Sequence, residues 1–440
     1  MDEAESQDTR PVRVGGSALF VIILTVFVDL IGFGIIIPLL PFYAQELGAG
    51  PTALGLLLAS FSFMAFVFAP ILGRLSDRYG RRPILLLSLV GSTTGHLIFA
   101  LADSLLLLLL SRIIAGTAAA SLSVAQAYIA DTTTPKERAR GMGLIGASFG
   151  VGVIVGPVIG GSLIGYGFSA PGFAAAAIAF SNLLLALSLL PESLPPSLRA
   201  RHRILPRRPS GFIEGFRRPI IGPLLITVFV IFFSFATIPV VYPLFGIELF
   251  DLGPRDMSLI FIYIGAVQVV IQAGMIGRLV RWVGEERLLV SGTLLMTVTI
   301  FAVPLIPELT AFLILTGLIS AGIAIASPVI LSMISTRSSP SEQGKMLGLS
   351  QSVAALARIP GPLSAGLIFE YLGVAAPFVI SAVMMLLGFA LSLRILRQRG
   401  GISNETEVGP AEQPTDFPMR RQEELSSQPL GEENDSEAEG

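Results

Sequence analysis

Two charged residues inside long apolar runs are the first candidates for chemistry. Asp29 lies in the run 17–41 and Arg112 in the run 104–131. If these runs cross a membrane in opposite directions, a rise of about 1.5 Å per residue places Asp29 about 18 Å from one face and Arg112 about 12 Å from the other, similar depths in a core about 30 Å thick. A lone charge at such depth is costly, so charged groups there usually face a cavity and pair. We hypothesise that Asp29 takes up and releases a proton while Arg112 stabilises its ionised form. The alternative is a permanent pair that braces two helices.

Other polar groups in apolar runs offer weaker signals. Arg358 could bind an anionic compound or backbone carbonyls, although a structural role is favoured, and Glu370 has no evident partner in the sequence. His96 is interpreted as a hydrogen-bonded packing residue. The chain has no cysteine and two histidines, so we expect no metal site and no thiol chemistry. Polar side chains that could line a site for an amphiphilic compound are Gln126, Tyr242, Gln268, Gln272 and Gln351, with Phe232, Phe233 and Phe235 as aromatic candidates.

The segment from Gly73 to Pro83 combines flexible and charged residues in one short loop. Gly73 permits close helix approach, Asp77 offers a carboxylate to an arginine or a helix N-terminus, and Gly80 allows a tight turn. With Arg78 and Arg81, these residues could hold one side of a helical bundle shut and release it. Simple anchoring by positive charge would need the arginines but neither the carboxylate nor the spaced glycines.

A stripe of glycines in the run 141–166 predicts close helix packing. Gly152, Gly156 and Gly160 recur every four residues, Gly161 follows, and Pro157 removes one backbone donor and favours a bend. We expect a bendable helix at the interface between two halves of the molecule. A generic packing seam of small residues is the alternative for the glycines taken alone.

The elements that position these residues are long apolar helices. The chain has 440 residues, 52% hydrophobic and 14% charged, whereas soluble proteins carry about 25% charged residues. Lipid must therefore be the solvent. A net charge of −2 gives no indication of a nucleic-acid partner. The runs long enough to span a membrane are 17–41, 52–73, 83–102, 104–131, 141–166, 171–191, 219–244, 257–280, 286–306, 308–335, 344–371 and 374–396.

The basic residues predict the orientation of these twelve spans. Of the 29 lysines and arginines, all but three fall on the side that holds both termini. The exceptions are Arg255, on the other side, and Arg112 and Arg358, within spans. Since positive charge marks the cytoplasmic face, both termini are predicted to be cytoplasmic.

The chain divides into two six-helix halves that repeat each other. We assign residues 1–16 to a polar N-terminus, 17–191 and 219–396 to the two bundles, 192–218 to a basic linker and 397–440 to an acidic, disordered tail. A common offset of 205 residues relates Pro135, Glu137, Gly143, Leu144, Gly156, Pro157, Gly161 and Tyr166 to Pro340, Glu342, Gly348, Leu349, Gly361, Pro362, Gly366 and Tyr371. The loop at 73–80 recurs at 277–284 with an offset of 204. Repeated halves of this kind occur in transporters that bind substrate at the interface.

The loop Gly73–Pro83 resembles the signature of the major facilitator superfamily at nearly every defining position. The stretch Asp29 to Pro41 resembles the first helix of twelve-helix drug/proton antiporters, and Gly152 to Gly161 resembles a motif of antiporters rather than symporters. The resemblance is strongest to tetracycline-resistance proteins. These carry an acidic residue where Gly95 aligns, which argues against a metal–tetracycline substrate. The resemblance implies an all-α integral membrane protein with the major facilitator fold.

The function that the resemblance implies is secondary active transport, namely export of a small amphiphilic organic compound in exchange for protons. We expect the proton gradient to supply the energy, with no cofactor, and a monomer in a bacterial or archaeal cytoplasmic membrane. The absence of a Gly-x4-Gly-Lys-Ser/Thr motif argues against ATP-driven pumping. A nutrient symporter or facilitator is the alternative. A membrane enzyme would need a catalytic constellation and a receptor a sizeable soluble signalling domain, and the sequence offers a poor candidate for either.

Overall fold

The computed structural model describes residues 16–133, 135–194, 211–339 and 342–405. The regular elements of these residues are helices, without a strand. Residues 1–15 of the predicted N-terminus, 195–210 of the linker and 406–440 of the tail lie outside the described residues. Residues 397–405, which were predicted to be disordered, instead continue the last helix, Ala376–Glu405. By contacts, the chain forms one unit from Met1 to Leu396 and a second from Arg397 to Gly440.

Helices of the first half run from Gly16 to Leu189. They are α1 Gly16–Ile36, α2 Leu40–Glu46, α3 Pro51–Tyr79, α4 Arg81–Ala100, α5 Leu105–Ala119, α6 Ser121–Thr132, α7 Pro135–Leu163 and α8 Ser169–Leu189, with a 3-10 turn at Ile164–Tyr166. A short helix, α9 Gly211–Arg217, precedes the second half.

Helices of the second half follow the same order. They are α10 Ile221–Phe250, α11 Pro254–Val269, α12 Ile276–Val283, α13 Glu285–Ala302, α14 Leu309–Thr336, α15 Gln343–Ala357, α16 Pro360–Leu372 and α17 Ala376–Glu405. A π-helical stretch, Val270–Met275, joins α11 to α12, and a 3-10 turn follows α13 at Val303–Leu305.

Ten spans among the described residues are long and apolar enough to cross a membrane. They become eleven if α1 and α2, bent by 45°, count as one span. Helix α7 is the remaining candidate, and its described apolar stretch, Gly150–Tyr166, is shorter. The all-helical membrane architecture is confirmed, whereas the count of twelve spans stays a prediction.

The sequence repeat reappears in where the helices begin. Helices α4 and α13 begin at Arg81 and Glu285, and α5 and α14 begin at Leu105 and Leu309, all at an offset of 204. The turns before α4 and α13 are made by Gly80 and Gly284, with φ of 108° and 85°. This left-handed region favours glycine, so the same residue makes the same turn twice.

The two halves touch at the end of the bundle away from the loop 73–83. We call the end that carries this loop and residues 277–284 the basic end, and the other the opposite end. At the opposite end, Gly366 of α16 lies against Pro51 and Gly55 of α3, and Gly161 of α7 lies against Ser258 of α11. These glycines admit the partner backbone or side chain where a Cβ would stand.

Toward the basic end, the same helices lose their neighbours. Met257, Ile260 and Ile264 of α11 are buried, but none of residues 270–283 is, and Trp282 is 78% exposed. In α3, buried residues cluster between Leu54 and Ala59. Among the described residues, therefore, the halves are packed at the opposite end and separated toward the basic end.

Candidate functional site

Asp29 lies on α1, partly exposed, with a single polar partner among the described residues. Ser92 of α4 donates a hydrogen bond from its Oγ to Asp29 Oδ1, at 3.2 Å. No described cation lies within 4 Å of the carboxylate. The carboxylate is thus held by one hydroxyl, on a residue that is partly exposed.

Arg112 is buried on α5 and makes no ion pair with Asp29 among the described residues. It is 3% exposed, its Nε donates to Ser111 Oγ at 3.2 Å, and its Cζ lies 5.2 Å from the centre of the Phe99 ring. Its Nη2 has no hydrogen-bond partner in the described part of the chain. The predicted Asp29–Arg112 pair is wrong for this conformation. The reason is the helix α4, whose Ser92 contacts Asp29 and whose Phe99 contacts Arg112.

His96 lies on α4 beside the two helices that carry these charges, because its ring contacts α1 and its neighbour Gly95 packs on Ala115 of α5. Its imidazole is 4% exposed and packs against Gly32 of α1, where a Cβ would lie 2.5 Å from Cε1. Gly32 follows Asp29 by one turn of α1, and His96 follows Ser92 by one turn of α4. The histidine Nδ1 has no hydrogen-bond partner among the described residues. The sequence analysis did not predict that His96 packs on the helix of Asp29. The spacing could have indicated it, because Asp29 and Gly32 lie one turn apart on α1, as Ser92 and His96 do on α4.

The second half places neutral residues where the first half has this charged cluster. The 205 offset that relates Pro38 to Pro243 and Gly48 to Gly253 carries Asp29 to Ser234. The 204 offset of the helix starts gives the other counterparts. They are Met296 for Ser92, Ile300 for His96 and Thr316 for Arg112.

A small cavity lies at this equivalent position. Its volume is about 20 Å³, and Ser234, Met296, Ile300 and Tyr242 are among its lining residues. Such a volume holds about one water molecule. The hydroxyls of Tyr242 and Thr316 are buried without a hydrogen-bond partner among the described residues. Tyr242 therefore belongs to the interior of the second bundle, where its ring packs edge-on against Phe312 at 5.2 Å between centres.

The other predicted lining residues lie on separate helices. Gln126 is on α6, Gln268 on α11, Gln272 in the π-helical stretch and Gln351 on α15. Gln272 and Gln351 are exposed, and Gln268 Nε2 is buried without a partner in the described part of the chain. The π-helical stretch that contains Gln272 and follows Gln268 is of interest because such turns often mark functional sites. No hydrogen bond joins these glutamines among the described residues, so their shared role stays a prediction.

Arg358 sits at the junction of α15 and α16 in the second half. Its Cζ lies 5.1 Å from the centre of the Phe232 ring on α10. A guanidinium over an aromatic face is stabilised by the ring quadrupole. This contact supplies the structural role that the sequence favoured. Phe232, predicted as an aromatic lining residue, thus contacts a residue of its own half.

Arg81 is the centre of the loop 73–83. Its side chain, 6% exposed, contacts Asp77 at 2.6 Å, Asp131 of α6 at 2.9 Å and Ser76 Oγ at 2.7 Å. Its backbone N–H donates to Glu192 beyond α8 at 2.8 Å. The network therefore ties α3, α4, α6 and the end of α8 within one half. These contacts between described residues all lie within the first half, and the predicted part of this network in shutting the basic end stays a prediction.

The remaining loop residues play smaller parts. Gly80 makes the left-handed turn described above. Arg78 lies over the neighbouring Tyr79 ring at 5.2 Å, and Gly73 has open space where a Cβ would stand. The second half repeats the anchor with reversed charge, because Arg337 at the end of α14 contacts Glu286 at the start of α13 at 2.7 Å.

The glycine stripe of α7 packs on its own half. Gly152, Gly156 and Gly160 lie against Leu30, Gly34 and Ile35 of α1. Gly161 and the neighbouring face of the same helix, at Val153 and Ile154, lie against Ser258 and Gly265 of the other half. The predicted close packing of the stripe on a partner helix is found, with α1 as the partner, and α7 lies at the interface between the halves as expected. Helix α7 also continues through Pro157 without a break, from Pro135 to Leu163.

Comparisons with known proteins give a consistent result. The model of the Major Facilitator Superfamily matches residues 22–322 and 275–429. Tetracycline resistance protein, class C, of Escherichia coli is 34% identical over 405 residues, covering 89% of this chain and 99% of that protein. Multidrug resistance protein 2 of Bacillus subtilis is 31% identical over 381 residues, covering 85% of this chain and 94% of that protein.

Solved structures show the same fold. The human organic anion transporter MFSD10 superposes with a TM-score of 0.66 at 27% identity, covering 86% of this chain and 99% of that one. A bacterial homologue of the human lysosomal transporter Spinster has a TM-score of 0.71 at 14% identity, covering 89% of this chain and 98% of that one, which speaks for the fold alone.

Proposed function

This chain belongs to the Major Facilitator Superfamily and is a multi-pass membrane transporter, and from that premise we propose that it exports a small amphiphilic organic compound in exchange for protons. The single observation that carries the proposal is Asp29. It is an acidic residue within a predicted span, partly exposed, held by one serine hydroxyl and without a cation within 4 Å among the described residues.

An unpaired carboxylate at membrane depth is stable only while something compensates its charge. Binding a proton is one way, and contact with a cationic part of a substrate is another. If the two alternatives exclude each other, substrate entry displaces the proton. This exclusion is the coupling that an antiporter requires, because each ligand then shifts the equilibrium of the other.

The separation of the halves supports a direction for this cycle. If the basic end is cytoplasmic, as the distribution of arginines predicts, the space between the halves opens to the cytoplasm. In this conformation the protein would collect substrate from the cytoplasm and release its proton there. Closure of the basic end, with parting of the Gly366 and Gly161 contacts, would then release substrate outside.

The names of the relatives support the class of compound. One is called a tetracycline resistance protein and another a multidrug resistance protein. At identities of 34% and 31% these names support a drug-like organic substrate without selecting one compound. We also propose that the protein works as a monomer, without a bound cofactor, and with both termini in the cytoplasm.

Transport in everted membrane vesicles tests the proposal. A panel of tetracycline and lipophilic organic cations is added at a fixed proton gradient, and proton release and compound uptake are recorded together. Asp29→Asn should abolish the substrate-driven proton release. Asp103→Asn is the matched control, because it makes the same change at an exposed loop position and should behave as wild type.

Two outcomes would refute the proposal. Uptake that persists in wild-type vesicles after an uncoupler collapses the gradient would exclude proton antiport. Normal proton exchange by the Asp29→Asn protein would remove Asp29 from the coupling.

A further inference from the structure

We propose that His96 is a second proton-binding residue of this transporter and that it links the charge on Asp29 to the position of Arg112. The inference rests on the proposed proton exchange and adds a residue to it. Three observations support it: the contact of the imidazole with α1, the absence of a hydrogen-bond partner for Nδ1 among the described residues, and the isoleucine at the equivalent position of the second half.

The contacts of His96 place it at one junction of three helices. From α4 it reaches Gly32 of α1, one turn from Asp29, while its neighbour Gly95 packs on Ala115 of α5, one turn from Arg112. Helix α1 carries no other charge than Asp29, and α5 none other than Arg112. Helix α8 carries none, and the charged residues of α3 and α6 lie at the basic end around Arg81. Asp29 and Arg112 are therefore the charges that an added proton on His96 would meet.

The imidazole is not needed for packing. At the equivalent place in the second half, Ile300 is 6% exposed, against 4% for His96. The helices that hold the two residues begin at equivalent positions, so an aliphatic side chain serves the same fold. A buried histidine kept only for packing also tends to satisfy its polar atoms. Here Nδ1 has no partner in the described part of the chain.

Gly32 is shaped to this histidine. A Cβ at position 32 would lie 2.5 Å from Cε1 and 3.0 Å from Nε2 of His96, a separation that forces one of the two to move. The counterpart of Gly32 in the second half is Thr237, which lines the same small cavity as Ile300. The glycine thus brings the ring close to the backbone that carries Asp29.

Protonation of His96 would have two opposite consequences. It would favour the ionised form of Asp29, because a cation would then lie one turn away on the neighbouring helix. It would oppose the present position of Arg112, because two cations would meet where α4 and α5 pack. The proton comes from Asp29 or from water between the halves and returns there, so only N–H and O–H bonds are made and broken. A proton on His96 would therefore move Arg112 while Asp29 is free to bind a cationic substrate.

The chain offers a direct readout, because it has only two histidines, His96 and His202. In a His202→Gln protein labelled with 15N-histidine and held in lipid nanodiscs, nuclear magnetic resonance reports the protonation of His96 alone. We expect the ring to change between its neutral and its protonated form within the pH range over which exchange is measured. Asp29→Asn should move the midpoint by about one pH unit or more. A histidine that serves packing would stay in one form across the range.

Transport supplies the second readout. His96→Gln keeps a polar side chain of similar size without a titratable group, and His96→Ile copies the second half. Both should keep substrate-driven exchange yet flatten its dependence on pH, with a change of about tenfold at one end of the range. Gly32→Ala, which displaces the ring, should change the profile in the same direction.

The outcomes separate this inference from the function on which it rests. If wild-type export is not proton-coupled, the proposed function fails, whatever His96 does. If Asp29→Asn abolishes exchange but His96 keeps one protonation state and His96→Gln has the wild-type profile, only the role of His96 is refuted. That conclusion requires normal thermal unfolding of His96→Gln, and His96→Ile gives an independent variant if the first does not fold.

Discussion

The contact of Gly366 with α3 controls, in our interpretation, whether the opposite end opens. A Cβ at this position would overlap the Pro51 carbonyl oxygen and lie 3.0 Å from its carbonyl carbon and 3.2 Å from Gly55 Cα. Backbone atoms cannot rotate away as a flexible side chain can. Overpacking of this kind costs about 1–3 kcal/mol. Because Pro51 and Gly55 belong to the other half, the cost disappears once the halves separate.

Gly366→Ala should therefore shift the protein toward conformations that are open at the opposite end. A difference of 1–3 kcal/mol corresponds to an about 5- to 150-fold change in their population, as long as they remain in the minority. The gain in helix propensity from glycine to alanine is present in both conformations and cancels. Gly348→Ala is the matched control, since it makes the same change in α15 where a Cβ meets open space.

A single cysteine reports the opening, because the natural chain has none. Ser258, 1% exposed at the crossing with Gly161, is replaced by cysteine, and its labelling by a membrane-impermeant maleimide is timed from that side. The labelling rate should rise with the open population in Gly366→Ala and stay at the reference rate in Gly348→Ala. Equal rates in all three proteins, or equal rises in both alanine variants, would refute the reasoning.

Three further predictions concern stability, each measured by thermal unfolding in nanodiscs. Hydrogen bonds from Arg218 lower the pKa of Glu342 from 4.5 to about 2. The stabilisation from this carboxylate is therefore complete above about pH 4.5 and lost as the pH falls toward 2. The difference in unfolding temperature between wild type and Glu342→Gln should vanish over that window, and a constant difference would contradict the prediction. Tyr242→Phe removes a buried hydroxyl that has no hydrogen-bond partner of good geometry among the described residues, so the variant should unfold at the same or a higher temperature; a loss of stability as large as that caused by Thr316→Val would instead indicate that the two hydroxyls bond to each other. Arg81→Gln leaves two carboxylates without their common partner and should cost about 3–5 kcal/mol, whereas a loss below 1 kcal/mol would show that the ion pairs are exchanged for water.

The parts of this molecule that the sequence predicts well are those set by composition and backbone geometry. Apolar runs predict spans because unpaired backbone groups cannot face lipid. The repeated turn at Gly80 and Gly284 was visible because one residue type suits a left-handed φ. Gly152 and Gly156 were correctly assigned to close packing, since a Cβ at either would collide with α1.

The parts that failed depend on which way a side chain faces. The depths of Asp29 and Arg112 agree, yet depth says nothing about the helix that stands between them. A helical position one residue away faces about 100° further round the axis. The same rotation separates two faces of α7, because Gly160 packs on α1 of its own half while Gly161, one residue later, faces the other half.

The sequence repeat indicates what the buried charges of the first half cost in stability. The two halves place their α4 and α13, and their α5 and α14, at equivalent positions, so equal folds carry a charged cluster on one side and neutral residues on the other. Buried charge at membrane depth costs free energy that the second half avoids. Stability alone therefore does not account for the charges of the first half. Four substitutions copy the second half into the first: Asp29→Ser, Ser92→Met, His96→Ile and Arg112→Thr.

We expect this fourfold variant to unfold at a temperature equal to or above that of wild type, while substrate-driven proton release is abolished. The physical reason is that each replacement is a residue the same backbone already accommodates, and none of them can bind a proton or hold a charge near neutral pH. Unfolding at a clearly lower temperature would show that the charges stabilise the first bundle. Retained proton exchange would place the coupling elsewhere, and Arg358 with its Phe232 contact would then be the next charged group within a predicted span to test.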